Sequence, residues 1–75
     1  MLFGKKYKKL LIIEGMHCSH CAKKVEDALK KIDGVVSVKV NLDKKEVVVS
    51  SKVELKESSL FEIVTALDFE VTSIN

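Results

Sequence analysis

The chain has 75 residues, 47% of them apolar and 32% charged, with a formal net charge of +2. That is room for one folded domain, taken here as the whole of 1–75 with a core over about 8–74, and it excludes a disordered chain. All thirteen basic residues are lysine, whereas nucleic-acid readers lean on arginine and a larger charge excess, so no nucleic-acid partner is expected.

Residues 1–6 read as a flexible basic N-terminus, with Phe3 and Tyr7 as packing residues. Lys5, Lys6, Lys8 and Lys9 form its charge run. A solvated end is the bland reading of that run, and docking to an acidic partner the sharper one. The apolar stretch Leu10-Leu11-Ile12-Ile13 is shorter than a signal-peptide core, and no run approaches the roughly 20 apolar residues of a membrane span. The chain is therefore expected in the cytoplasm, with no membrane span.

Lys8 to Glu14, rich in isoleucine and leucine, suits a buried strand that Gly15 breaks. From about Ser19 to Ile32 the spacing is helical. Cys21, Ala22, Val25, Ala28, Leu29 and Ile32 gather in an arc roughly 120° wide, with lysines and acids opposite. Gly34 supplies a left-handed residue past the helix end. Val36, Val38, Val40 and Leu42 alternate with polar residues, as in a strand with one buried face. Asp43-Lys44-Lys45 reads as a turn, and Glu46 to Ser51 as the return strand, with Val47 and Val49 inward.

A second helix follows through Leu60, Ile63, Val64 and Leu67. Ser59 with Glu62 matches a capping box, and Ser58 is an alternative cap. Asp68 ends the helix. The last strand runs over Phe69 to Ile74 and buries either Phe69, Val71 and Ser73 or Glu70, Thr72 and Ile74. The order strand, helix, strand, strand, helix, strand predicts a ferredoxin-like βαββαβ fold of the α+β class. A four-stranded antiparallel sheet carries both helices on one face, and its other face is solvated.

The segment that bears chemistry is Gly15-Met16-His17-Cys18-Ser19-His20-Cys21, between the first strand and first helix. Two residues separate the cysteines, so both sulfurs can converge at the helix start. There the helix dipole and nearby Lys23 and Lys24 favour thiolate, the metal-binding form. Two soft thiolates select soft ions, above all Cu(I). A four-ligand zinc site that adds His17 and His20 is arithmetically open. It would need the His17 ring to fold back over the loop, and His20 is expected to point elsewhere. A Cys-x-x-Cys pair also marks thioredoxin-like redox sites, so the spacing alone leaves both readings open.

The string Gly15-Met16-x-Cys18-x-x-Cys21 in this position resembles the heavy-metal-associated domain family. That family includes bacterial copper chaperones, N-terminal domains of copper-transporting P-type ATPases and a periplasmic mercury-binding protein. The resemblance extends from Lys8 to Ile74, through Asp33-Gly34-Val35, Val38-Lys39-Val40-Asn41-Leu42 and Leu67-Asp68-Phe69-Glu70-Val71. It implies that Cys18 and Cys21 are the metal ligands and that Met16 turns inward beneath the metal loop. It implies that Phe69 faces the loop, with Gly15, His17 and His20 supporting or flanking it. Two departures stand out: Asp68 replaces the usual glycine, and Lys56 the usual helix-capping serine.

The function expected is Cu(I) binding by two thiolates and transfer to a partner by ligand exchange, as in a copper chaperone. The partner implied is a copper-transporting P-type ATPase or another copper acceptor. The starting Met and the lack of a linker favour a stand-alone carrier. Phe69 leans towards an excised ATPase domain, since chaperones of this type more often carry Tyr there. A mercury-binding or thiol-redox domain is a further alternative. Zinc ranks low, because zinc-type relatives tend to place Asp beside the first cysteine, where this chain has His17. The apo chain is expected to be a monomer, and copper could bridge two copies through four sulfurs. No phosphate-cradling glycine loop, nucleophile triad or paired carboxylate appears, so the chain is not expected to be an enzyme.

Overall fold

Strand β1 (Tyr7–Glu14) lies second from one edge of a single four-stranded sheet in the computed structural model, which describes residues 7–75. The basic segment 1–6, with Phe3, Lys5 and Lys6, lies outside the described residues. Helix α1 (Ser19–Lys30) is followed by β2 (Val35–Asn41), β3 (Glu46–Ser51), α2 (Glu57–Ala66) and β4 (Glu70–Ile74). The sheet order is β2-β3-β1-β4 and every neighbouring pair is antiparallel. This is the ferredoxin-like βαββαβ arrangement.

The alternation of each strand delivers the core. Leu11 and Ile13 of β1, Val38 of β2, and Val47 and Val49 of β3 meet Val25 and Leu29 of α1 and Leu60 and Val64 of α2. All but Val38 are wholly buried. Full burial of such a side chain contributes about 1.5–3 kcal/mol, which lets a chain this small fold on one layer of contacts. Lys8 and Lys9 belong to β1 and are not part of a frayed end. Lys9 is ion-paired to Glu57 of α2 at 3.2 Å.

Two β-bulges overturn the simple alternation expected for β2 and β4. In β2, Val35 faces Ser51 and Ser37 faces Ser50, so Val36 is an extra residue. The parity switches there: Val35, Val38 and Val40 turn to the core while Val36 stays 51% exposed. In β4, Val71 pairs with Ile13 but Ser73 pairs with Ile12, so Thr72 is extra. The buried face becomes Phe69, Val71 and Ile74, a hybrid of the two alternatives. The back of the sheet is less solvated than expected, because Leu10, Ile12 and Val48 shelter one another at its centre and are half-buried.

The helix ends also differ. Lys31 caps α1, and the N–H groups of Lys31 and Ile32 donate to Ala28 and Leu29 carbonyls at 3.3 and 3.2 Å, tightening the last turn. Gly34, at φ +92°, is the expected left-handed residue past the helix end, three residues beyond the Lys31 cap, where it serves the turn into β2. Helix α2 begins earlier than a capping box at Ser59 requires. Its N-cap is Lys56, which makes no side-chain cap bond, and Ser58 and Ser59 lie inside the first turn. Buried Leu55 fixes that entry, so tertiary packing overrides the local Ser-x-x-Glu signal.

Candidate metal centre

The segment from Gly15 to Cys18 becomes a short loop, and Cys21 falls in the first turn of α1, because the chain must turn from β1 into the helix under a bulky neighbour. Gly15 has φ +105°, and a Cβ there would lie 3.1 Å from Cδ1 of Phe69. Only glycine gives both the left-handed turn and room for the ring. Phe69 reaches this place through the end of α2. The N–H of Asp68 donates to the Thr65 carbonyl at 2.9 Å and that of Phe69 to the Val64 carbonyl at 3.4 Å. Asp68, at φ +69°, is the left-handed residue of this Schellman cap. Aspartate thus fills the family's glycine position without breaking the turn, since a short polar side chain tolerates that conformation.

Met16 turns inward and is only 6% exposed, within the core cluster. His17, Cys18, Ser19 and His20 are exposed, and Cys21 is half-buried where α1 enters the core. Cys18 is the N-cap of α1, with extended backbone, and its carbonyl accepts the first helical bond from Ala22 at 3.2 Å. The two sulfurs lie 3.8 Å apart, within hydrogen-bond reach of each other. Both thiols are free.

No side-chain hydrogen bond closes the α1 cap, and its first turn holds no acidic residue. The unpaired N–H groups of that turn act on sulfur instead. The backbone N–H of Cys21 lowers the pKa of Cys18 most, followed by the Cys21 thiol, the N–H of His20 and the charge of Lys24. Lys23 is committed elsewhere, in an ion pair with Asp27 at 3.2 Å. The electrostatics therefore favour a thiolate at an accessible loop, ready for a soft cation.

Among the described residues, no three His, Cys, Asp or Glu side chains gather as a metal-holding group. The geometry brings the two cysteine sulfurs together, and neither histidine joins them in a group of three among the described residues. Two contributors escaped the sequence reading. Glu14, at the foot of the loop, is ion-paired to Lys45 of the β2–β3 turn at 2.8 Å. The signal for Lys45 was weak: a turn residue at φ +59° is usually Asn, Asp or Gly, and lysine does not advertise it.

A heavy-metal-associated domain model matches residues 10–70. The copper chaperone CopZ of Staphylococcus epidermidis is 43% identical over 53 residues, which cover 71% of this chain and 72% of that protein. In other staphylococcal copper chaperones the matched part spans only about half of the relative, 57% or 53% of its length. Among solved structures, a CopZ metallochaperone superposes with a TM-score of 0.82 at 34% identity, over 88% of this chain and 100% of that one. The Cu(I)-loaded N-terminal domain of a potential copper-translocating P-type ATPase from Bacillus subtilis gives the same score and identity, over 89% and 85%. No helix among the described residues is long and apolar enough to cross a membrane.

Proposed function

The chain belongs to the heavy-metal-associated domain family, and from that premise we propose that it carries a single Cu(I) between Cys18 and Cys21 and hands it to a partner protein. The observation that carries this reading is the pair of free thiols 3.8 Å apart at an uncapped helix start, one exposed and one half-buried. Relatives and structural neighbours named for copper support the choice of metal. Soft-ligand preference supports the monovalent state.

The cargo is released by ligand exchange. A thiolate of the acceptor adds to the two-coordinate ion, giving a three-coordinate bridge. One sulfur of this chain then leaves as thiolate, and a second acceptor thiolate displaces the other. Copper stays Cu(I) throughout and no electron moves. Cys18 is placed for first release, since it is exposed in the loop while Cys21 is anchored in α1. Met16 takes no part as a ligand, because its thioether fills the core beneath the loop. Phe69 limits access from the β4 side. The acceptor in this reading is a copper-transporting P-type ATPase or another thiolate protein in the cytoplasm, and the chain is a carrier without catalytic chemistry. It is a monomer without metal.

A second reading, a metal-binding domain of a copper-transporting ATPase, rests on the ATPase domain matching as closely as the chaperone. Both readings share the site. Anaerobic competition for Cu(I) against a chelator of known affinity tests it: one ion per chain is expected, lost in the double variant Cys18→Ser/Cys21→Ser with the helical and strand signal intact. Tighter binding of Zn(II) than Cu(I), or Cu(I) binding that survives the double change, sinks the proposal.

A further inference from the structure

The two-cysteine loop leaves β1 through Ile13, Glu14 and Gly15, and this stem is gripped from both sides. Towards β3, the Ile13 N–H donates to the Lys45 carbonyl at 2.9 Å, and the Lys45 ammonium donates to Glu14 Oε1 at 2.8 Å. One residue of the β2–β3 turn thus holds two successive residues of the stem. Its left-handed backbone, at φ +59°, is uncommon for lysine. Towards β4, Glu14 stands directly opposite Glu70 as its strand partner.

Like charges facing each other across a strand pair repel. Here the repulsion falls at a sensitive place. Glu70 follows Phe69, whose ring packs on Gly15 at the base of the loop. Parting Glu14 from Glu70 would move the ring off that glycine and loosen the loop. The Lys45 ammonium, bound to Glu14, offsets this repulsion.

We propose that Lys45 is a positioning residue for the copper loop: by neutralising Glu14 against Glu70 and pinning Ile13, it keeps β1 and the start of β4 together and so sets how readily the loop opens to release its ion. The link to release rests on the Cu(I) reading above, whereas the effect on the loop does not.

The test begins on the metal-free protein. In Lys45→Met, amide hydrogen exchange at Met16, His17 and Cys18 is expected to accelerate about two- to fivefold, the scale of one exposed ion pair, with Val25 and Leu29 unchanged. Adding Glu70→Gln should return the loop amides to the wild-type rate, and Lys45→Arg should keep that rate. Unchanged loop exchange in Lys45→Met overturns the proposal. So does an acceleration that includes α1, which would mark a general loss of stability, or a failure of Glu70→Gln to restore the loop.

In a second step, Cu(I) release to a dithiol chelator should quicken in Lys45→Met by the same factor as loop exchange. Altered exchange with unaltered release overturns the role in transfer. A wild-type chain that takes up no Cu(I) instead refutes the copper reading and leaves the exchange result standing.

Discussion

The two helices occupy equivalent places in the two halves of the fold, yet their N-termini are built for different ends. Both begin at a residue with extended backbone and no side-chain cap bond, Cys18 for α1 and Lys56 for α2. Helix α2 then offsets its dipole with Glu57, which Lys9 holds in place from β1. Helix α1 has no acid in its first turn, and its free N–H groups work on the Cys18 sulfur. A helix start left open is a cost in stability at α2 and a source of thiolate at α1. The difference shows why the cysteine motif belongs at a helix entry: the donors that usually go to a serine or aspartate cap are available to a sulfur anion.

The largest effect on this contrast is expected from closing the α2 entry. Lys56 has a backbone suited to an N-cap, φ −79° and ψ 130°, but presents a cation where the dipole wants an acceptor. Lys56→Ser should stabilise the protein by about 1 kcal/mol. In a domain of this size that raises the melting temperature by about 4–8 °C. Cu(I) affinity should stay as in wild type. A lower melting temperature, or a changed affinity, would break the claim that the two helix starts are energetically separate.

A smaller and more pointed effect is expected from giving α1 what α2 already has. Ser19→Glu places a carboxylate in the first turn of α1, worth about 0.3–1 kcal/mol with the dipole. The same charge faces the Cys18 thiolate and raises its pKa. Stability and metal binding should move in opposite directions: a higher melting temperature with weaker Cu(I) binding, read in a thermal scan and a chelator competition. If both rise together, the helix start is not tuned for sulfur.

Much of this arrangement could be read from the chain beforehand, and the failures share a cause. Periodicity placed six elements in the right order because each has a strongly apolar face, as with Val25 and Leu29 or Val47 and Val49. The place of the cysteine pair between the first strand and the first helix was plain from the pattern, whereas its metal chemistry rests on the family resemblance. The bulges at Val36 and Thr72 were not, because they carry no glycine or proline and their β-branched residues look like ordinary strand. The Ser59 capping box failed for the opposite reason: the local pattern was complete, but buried Leu55 set the chain into α2 earlier. The grip of Lys45 on Glu14 joins residues far apart in sequence and depends on one left-handed turn residue, so no local pattern announces it.

The smallest effect concerns Lys24 and refines the account of Cys18. The Cys18 pKa is lowered chiefly by the Cys21 N–H, with Lys24 the least of its favourable causes. Because the folded pKa lies below the unfolded one, ionised Cys18 favours the fold above the unfolded pKa. That contribution disappears as pH falls through the folded value. Site-resolved alkylation of the metal-free protein should therefore show a Cys18 midpoint below that of the urea-unfolded chain. Lys24→Gln should move the midpoint up slightly, and 1 M salt should erase the difference between variant and wild type, since an exposed charge is screened there. The backbone contribution should survive the salt, because the N–H groups lie in the same turn as the sulfur. A midpoint that reaches the unfolded value in Lys24→Gln would make the lysine, not the helix start, the source of the thiolate, and would dissolve the contrast between the two helices.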